Sequence, residues 1–202
     1  MEAREKLLRY CIKYKNDGDK VHKALVNKRE VDETFDISNK KFISVVDAEY
    51  PKQLKETIGL HKSFVLYYEG DKKLLNNIDD MIFLYGRNVF DIPEEKLITI
   101  KDGVVDLGGR LKIWFNNVPR KGHRFVLAAC LCQRMVITKV LPFVDGSSVI
   151  KYSVGYSVNA MLLHGGEIYV TPTKERSLNN QLIKEGAFLI DCVEDLEAVK
   201  KW

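Results

Sequence analysis

The sequence predicts an α/β layer fold with a mostly parallel sheet, and three observations carry that prediction. Apolar runs rich in β-branched residues, such as Met135-Val-Ile-Thr-Lys-Val140, are too continuous for strands with one wet face, so the sheet is expected to be covered on both sides. Such runs are interleaved with helical stretches, as layered α/β chains require. A chain of 202 residues, 46% hydrophobic and 30% charged, is long enough for one real core with a small appendage and too short for two full domains.

The elements follow in order. Leu7, Leu8, Cys11 and Ile12, then Val21 and Leu25, recur at helical spacing on either side of Asn16-Asp17-Gly18-Asp19, a turn whose aspartate can cap the second helix. This gives a two-helix unit, too short to hold a core alone, followed by a polar linker over 31–41. Phe42–Val46 reads as a strand, Tyr50-Pro51 as the entry to a helix around Lys52–Ile58, and Phe64–Tyr68 as a second strand stopped by Gly70-Asp71. Further strands are predicted at Met81–Tyr85, Leu97–Ile100, Leu111–Phe115, Met135–Val140 and Glu167–Thr171. Helices are expected over 124–132 and 153–164, the second closed by Gly165-Gly166. No repeat or low-complexity tract interrupts the pattern.

Charge is distributed unevenly. The net charge is +4, yet residues 107–144 hold Arg110, Lys112, Arg120, Lys121, Arg124, Arg134 and Lys139 with no acidic residue. On one surface, such a run would attract an anion. Four scattered cysteines and a first segment interrupted by Arg4, Lys6 and Arg9 lead us to expect reduced thiols, no apolar leader and a cytoplasmic protein. Cys130-x-Cys132 has neither metal-knuckle nor redox spacing and reads as two small core residues. No apolar run reaches the roughly 18 residues that cross a bilayer.

Catalytic signatures are missing: there is no GxGxxG after a strand, no GxxxxGK[ST], no HExxH and no GxSxG. The four histidines share no spacing, so neither a metal nor a cofactor is expected. Gly108-Gly109-Arg110 fits a hairpin turn or, alternatively, a phosphate cradle. In Pro119-Arg-Lys-Gly-His-Arg124, cations and an imidazole precede an apolar helix, an arrangement suited to phosphate and equally readable as a solvated basic loop. Ser147, Ser148, Ser153 and Ser157 lie around the 153–164 helix as caps or phosphate donors, and no base accompanies them.

Two segments carry a resemblance. Phe42-Ile-Ser-Val-Val-Asp-Ala-Glu-Tyr50-Pro51-Lys-Gln-Leu54, continuing to Phe64-Val-Leu66-Tyr67-Tyr68-Glu-Gly70-Asp71, resembles the tyrosine–proline, leucine and "leucine-tyrosine, any two, glycine" opening of the DNA-processing protein A (DprA, Smf) family. Glu167-Ile-Tyr-Val-Thr-Pro172 and Asn180-Gln-Leu-Ile-Lys-Glu-Gly186-Ala187 are similar to its closing strand and its "asparagine, any, leucine-isoleucine, any two, glycine-alanine" motif, with Glu194-Asp195-Leu196 at the end. In the middle the likeness loosens. Tyr85 stands where the family has the first glycine-serine-arginine residue before Arg87, 119–124 keeps only Arg124 in place, and Val154–Ser157 is a loose form of a serine-glycine-serine helix start. Only Asp91–Arg110 occupies the place of a full strand–helix–strand unit.

The resemblance, over about 42–200, implies a shortened Rossmann-like three-layer domain at 42–202 preceded by a short helical unit at 1–41. It implies a non-enzymatic protein that binds single-stranded DNA in natural transformation, helps load a RecA-type recombinase, and forms a homodimer. Arg87 and Arg124 match family arginines and become candidate DNA contacts; Arg120 and Lys121 join them on charge. Arg110, Ser157 and Asn180 are possible ligand contacts, with turn or capping roles as the alternative. Trp114 or Phe115 could stack on bases or simply be buried in a strand. The competing expectations are a nucleotide-binding Rossmann-like protein and an interaction scaffold that has lost DNA binding.

Overall fold

The computed structural model describes residues 3–31, 37, 39, 41–56, 63–86, 92–101, 104–114, 123–138, 155, 158–159, 161–162, 165–174, 177–192 and 194–195. Its helices are α1 (Ala3–Lys13), α2 (Gly18–Val26), α3 (Lys52–Lys55), α4 (His123–Leu131) and α5 (Leu178–Lys184). Its strands are β1 (Phe42–Ser44), β2 (Val65–Gly70), β3 (Ile82–Tyr85), β4 (Leu97–Lys101), β5 (Val104–Leu107), β6 (Leu111–Trp114), β7 (Arg134–Ile137), β8 (Glu167–Val170) and β9 (Phe188–Leu189).

All nine strands form one sheet, in the order β1-β2-β6-β5-β4-β3-β7-β8-β9. The expected α/β class holds, but parallel pairing does not dominate. β4, β3, β7, β8 and β9 pair in parallel, whereas β1, β2, β6, β5 and β4 pair antiparallel. The physical reason lies in the connections. Lys101 pairs with Val104 and Leu107 with Leu111, so two or three residues join these strands, and a parallel crossover needs a dozen or more. Sequence patterning missed β5 and β9, which are short. It also missed the 3₁₀ stretch Lys72–Asp80, which Asp71 begins by accepting from the Lys73 N–H (2.9 Å).

The parallel strands, read in chain order, take the spatial sequence 2-1-3-4-5 of a doubly wound sheet. Alternation along them separates two faces. Phe83, Met135, Ile137, Ile168 and Val170 pack with α4, α5, Val158 and Met161 in the main core, which continues under the antiparallel strands through Ile98, Val105, Leu107, Leu111, Ile113 and Leu66. On the other face, Ile82, Leu97, Val136 and Tyr169 form a smaller cluster with Ile92 and Ile190. Cys130 and Cys132 are buried apolar residues, as their spacing suggested.

α1 and α2 cover that second face only at its far side, where Leu8, Tyr10, Cys11, Val21 and Ala24 meet Phe42, Val65 and Tyr67. Asp17 caps α2 by accepting from Lys20 N–H. Arg4 pins the pair to β1: its Nη2 donates to the Phe42 carbonyl at 2.7 Å, its Nε to Asp47 at 3.1 Å, and its guanidinium lies 4.2 Å from the Phe42 ring centre. Gly165 turns with φ +69 while Gly166 N–H reaches the Met161 carbonyl, closing the preceding helical segment as expected.

Candidate functional site

In a doubly wound sheet, ligands bind beyond the carboxyl ends of the strands where neighbouring strands send their connections to opposite sides. Here that point lies between β3 and β7, since β3 leads to β4 on one side and β7 to β8 on the other. Three strand ends meet there and are tied together. Thr138 N–H donates to the Tyr85 carbonyl and Thr171 N–H to the Ile137 carbonyl, both at 2.9 Å. At Gly86 φ is +107, and the chain leaves the sheet in a conformation suited to glycine.

Asn179 holds this edge closed. Fully buried in the first turn of α5, it donates through Nδ2 to the Thr138 carbonyl (2.7 Å) and the Thr171 carbonyl (2.8 Å). The sequence reading singled out its neighbour Asn180 instead. Asn180 accepts from Thr173 N–H (3.0 Å) and donates to the Thr173 carbonyl (2.7 Å), binding the loop ahead of α5 to the helix. Ser177 caps α5 and meets the Thr173 hydroxyl. Helical spacing contains the missed signal: Asn179 lies three residues before Leu182, on the buried face of the helix.

The expected cation positions divide. Arg87, Arg120, Lys121 and Ser157 lie outside the described residues. Arg124 falls in the first turn of α4. α4 ends two residues before β7 begins and packs over β4 and β5 on the main-core face. Arg110 lies in the β5–β6 turn, where Gly108 (φ +61) and Gly109 (φ +72) are both left-handed and Arg110 N–H closes the turn on Leu107. Lys112 stands between Glu69 and Asp106 on the neighbouring strands, and Arg134 lies 3.8 Å from Glu167. The acid-free run in sequence is therefore not one basic patch in space. Trp114 is half-buried against the α1–α2 cluster.

A cleft of about 610 Å³ opens beside the switch point, over the second face of β3 and β4. Leu84, Leu97, Thr99 and Ile92 line it, with Gly86 at one end and Glu94 and Gly108 at the other. Its origin is visible in the chain: only residues 86–96 join β3 to β4, fewer than the dozen or more of an ordinary parallel crossover, and their one described helical turn is Glu94–Lys96. Burial pushes the Tyr85 phenol up to about 12, so it stays neutral. No group of three or more His, Cys, Asp or Glu that could hold a metal occurs among the described residues, and no helix among them is long and apolar enough to cross a membrane.

These features define a doubly wound α/β domain with a ligand edge at its switch point and an antiparallel extension. Among solved structures, the fold is similar to that of DNA processing protein A (DprA) from Streptococcus pneumoniae, with a TM-score of 0.55 and 14% identity over 89% of this chain and 80% of that one. It is also similar to DNA processing protein A from Helicobacter pylori, known for its single-stranded DNA binding mode, with a TM-score of 0.51 and 14% identity over 80% of this chain and 96% of that one. No protein-family profile and no curated protein sequence matches. The likeness establishes the fold.

Proposed function

We propose that this chain is a DprA-like DNA-processing protein that binds single-stranded DNA at the carboxyl edge of its parallel strands. The observation that carries the reading is the fold shared with DprA proteins, which has its switch point at this edge. Arg124, in the first turn of α4, is the proposed phosphate contact. A helix start that carries an arginine in its first turn suits a phosphate, and this supports backbone-directed, sequence-tolerant binding. Arg87, which follows Gly86 in the sequence, and Arg120 and Lys121, which precede α4, extend the same proposal. On this reading residues 1–41 form a helical appendage to the 42–202 domain, the protein works as a homodimer in the cytoplasm, and it hands its DNA to a RecA-type recombinase in natural transformation.

Fluorescence anisotropy of labelled oligo-dT tests the proposal. Affinity is expected to fall steeply between low and moderate salt, because each neutralised phosphate contributes a slope of about 0.7 on a log–log plot for single strands. Arg124→Ala is expected to weaken binding several-fold and to lower that slope by about one contact. Absent or salt-insensitive binding would sink the reading.

A further inference from the structure

The cleft over β3 and β4 is not explained by phosphate binding. Among the described residues that line it there is no lysine, arginine or histidine, and Glu94 is an acidic one, so the cleft offers a phosphate no cationic partner. Its floor is apolar, set by Leu84 and Leu97, which lie on the same face because Ile82 pairs with Leu97 and the two-residue alternation carries that face on to Leu84 and Thr99. Thr99 adds a hydroxyl. The volume lies inside the roughly 300–1,000 Å³ typical of small-ligand sites.

The far wall of the cleft is tightly seated. A Cβ on Gly108 would come within 2.7 Å of the Glu94 carbonyl, so the β5–β6 turn is seated directly on the Glu94–Lys96 turn that forms the far wall. At the near end, Gly86 opens onto the carboxyl edge of the strands. A ligand with a charged part at the edge and a neutral, flat part next to it would fit both.

We propose that this cleft receives the neutral, planar base of a nucleotide whose phosphates stay outside at the strand-end edge. The inference deepens the single-strand reading and rests on it. The base would lie on the Leu84–Leu97 floor, and its polar edge would face Thr99 and Glu94. The protein would then sense bases, and not phosphate alone.

The test compares oligo-dT with an abasic oligomer of the same length, at the same low salt, by anisotropy. The intact protein is expected to bind the abasic strand about tenfold or more weakly, the range of one well-placed base. Leu84→Trp, which fills the floor, is expected to bring oligo-dT down to the abasic level with the salt slope unchanged. Thr99→Val is expected to alter the ranking of the four homopolymers. Equal binding of abasic and dT strands by the intact protein would overturn the inference while leaving the DNA-binding reading intact. If a thermal melt shows Leu84→Trp to be unfolded, Thr99→Val decides, and an unchanged ranking overturns the inference. If no oligomer binds even at low salt, the DNA reading fails by itself. Saturation-transfer NMR with free thymidine and adenosine then judges the cleft: signals present in the intact protein and weakened by Thr99→Val support it, and none in the intact protein overturns it.

Discussion

β7 buries Met135, Val136 and Ile137 completely, whereas β6, in the same sheet, buries Leu111 and Ile113 but leaves Lys112 exposed between them. β7, in the middle of the parallel half, is buried on both faces. In the antiparallel half, one face joins the main core, while Thr99, Asp106, Lys112 and Glu69 form a polar row across the other, each paired with the next in register, with Lys112 and Glu69 exposed and Asp106 buried between its neighbours. That division follows from connectivity. Strands joined by tight turns need no helix over them and can keep one face wet, whereas parallel strands carry their coverings with them. The cleft lies where the two regimes meet, because β4 is parallel on one side and antiparallel on the other and is reached from β3 by a short connection.

The parallel half is expected to be the less forgiving, and Asn179 is its sharpest test. Its amide satisfies two strand-end carbonyls in a fully buried position. Asn179→Leu keeps the volume and removes both donors, leaving those acceptors without their side-chain partner. About 2–4 kcal/mol of destabilisation is expected, read from urea unfolding of the two proteins. Asn179→Asp should cost at least as much, because a carboxylate there faces two carbonyl oxygens. If either variant unfolds within about 0.5 kcal/mol of the parent, the strand ends are held by something else.

In the antiparallel half the corresponding constraint is steric. Gly70 ends β2 with φ +106, and a Cβ there would lie 2.1 Å from the Arg110 carbonyl, the same oxygen that accepts from Asp71 N–H at 3.0 Å. Gly70→Ala has to strain the backbone and open the seat of the β5–β6 turn, at a cost of about 2–3 kcal/mol. The loss should stay local: amide exchange is expected to quicken in β2, β5 and β6 and to hold in β7 and β8. Uniform quickening across the sheet would mean that the two halves unfold as one unit, and the contrast drawn between them would fail.

Much of this was legible in the sequence, for reasons particular residues show. Runs with uniform burial, such as Met135–Ile137, declare a doubly covered strand, and Gly70-Asp71 and Gly165-Gly166 stop their elements where left-handed glycines were needed. The antiparallel meander was harder to see. Val104–Leu107 is only four residues long, and its pairing direction depends on the brevity of residues 102–103 and 108–110, which hydrophobic periodicity does not register. Charge misled in a similar way. The acid-free run is continuous in sequence, yet Arg110 sits in the β5–β6 turn, Lys112 between two acidic neighbours on the sheet, and Arg124 in α4. Asn179 stayed hidden because a fully buried asparagine and a half-buried one look alike beside each other, and only the carbonyls of two distant strands tell them apart.

The smallest expected effect concerns the seam that joins α1 to the antiparallel half. Arg4 is half-exposed, with 42% of its side-chain surface accessible, and its Asp47 partner retains 18%. Water screens such a pair, so its Coulomb energy is worth only a few tenths of a kcal/mol. The bond to the Phe42 carbonyl and the guanidinium over the ring add to it, giving about 1 kcal/mol for Arg4→Ala. Asp47 does a second job, because the same carboxylate oxygen accepts from Ser44 N–H at 2.7 Å and so ends β1. Asp47→Ala is therefore expected to cost more than Arg4→Ala, and a double-mutant cycle between them should leave a coupling below about 1 kcal/mol. High salt should shrink that coupling and leave the Ser44 share of the Asp47 effect in place. A cycle in which the whole Asp47 effect vanishes once Arg4 is gone would show the ion pair, and not the strand-end hydrogen bond, to be what fastens the helices to the sheet.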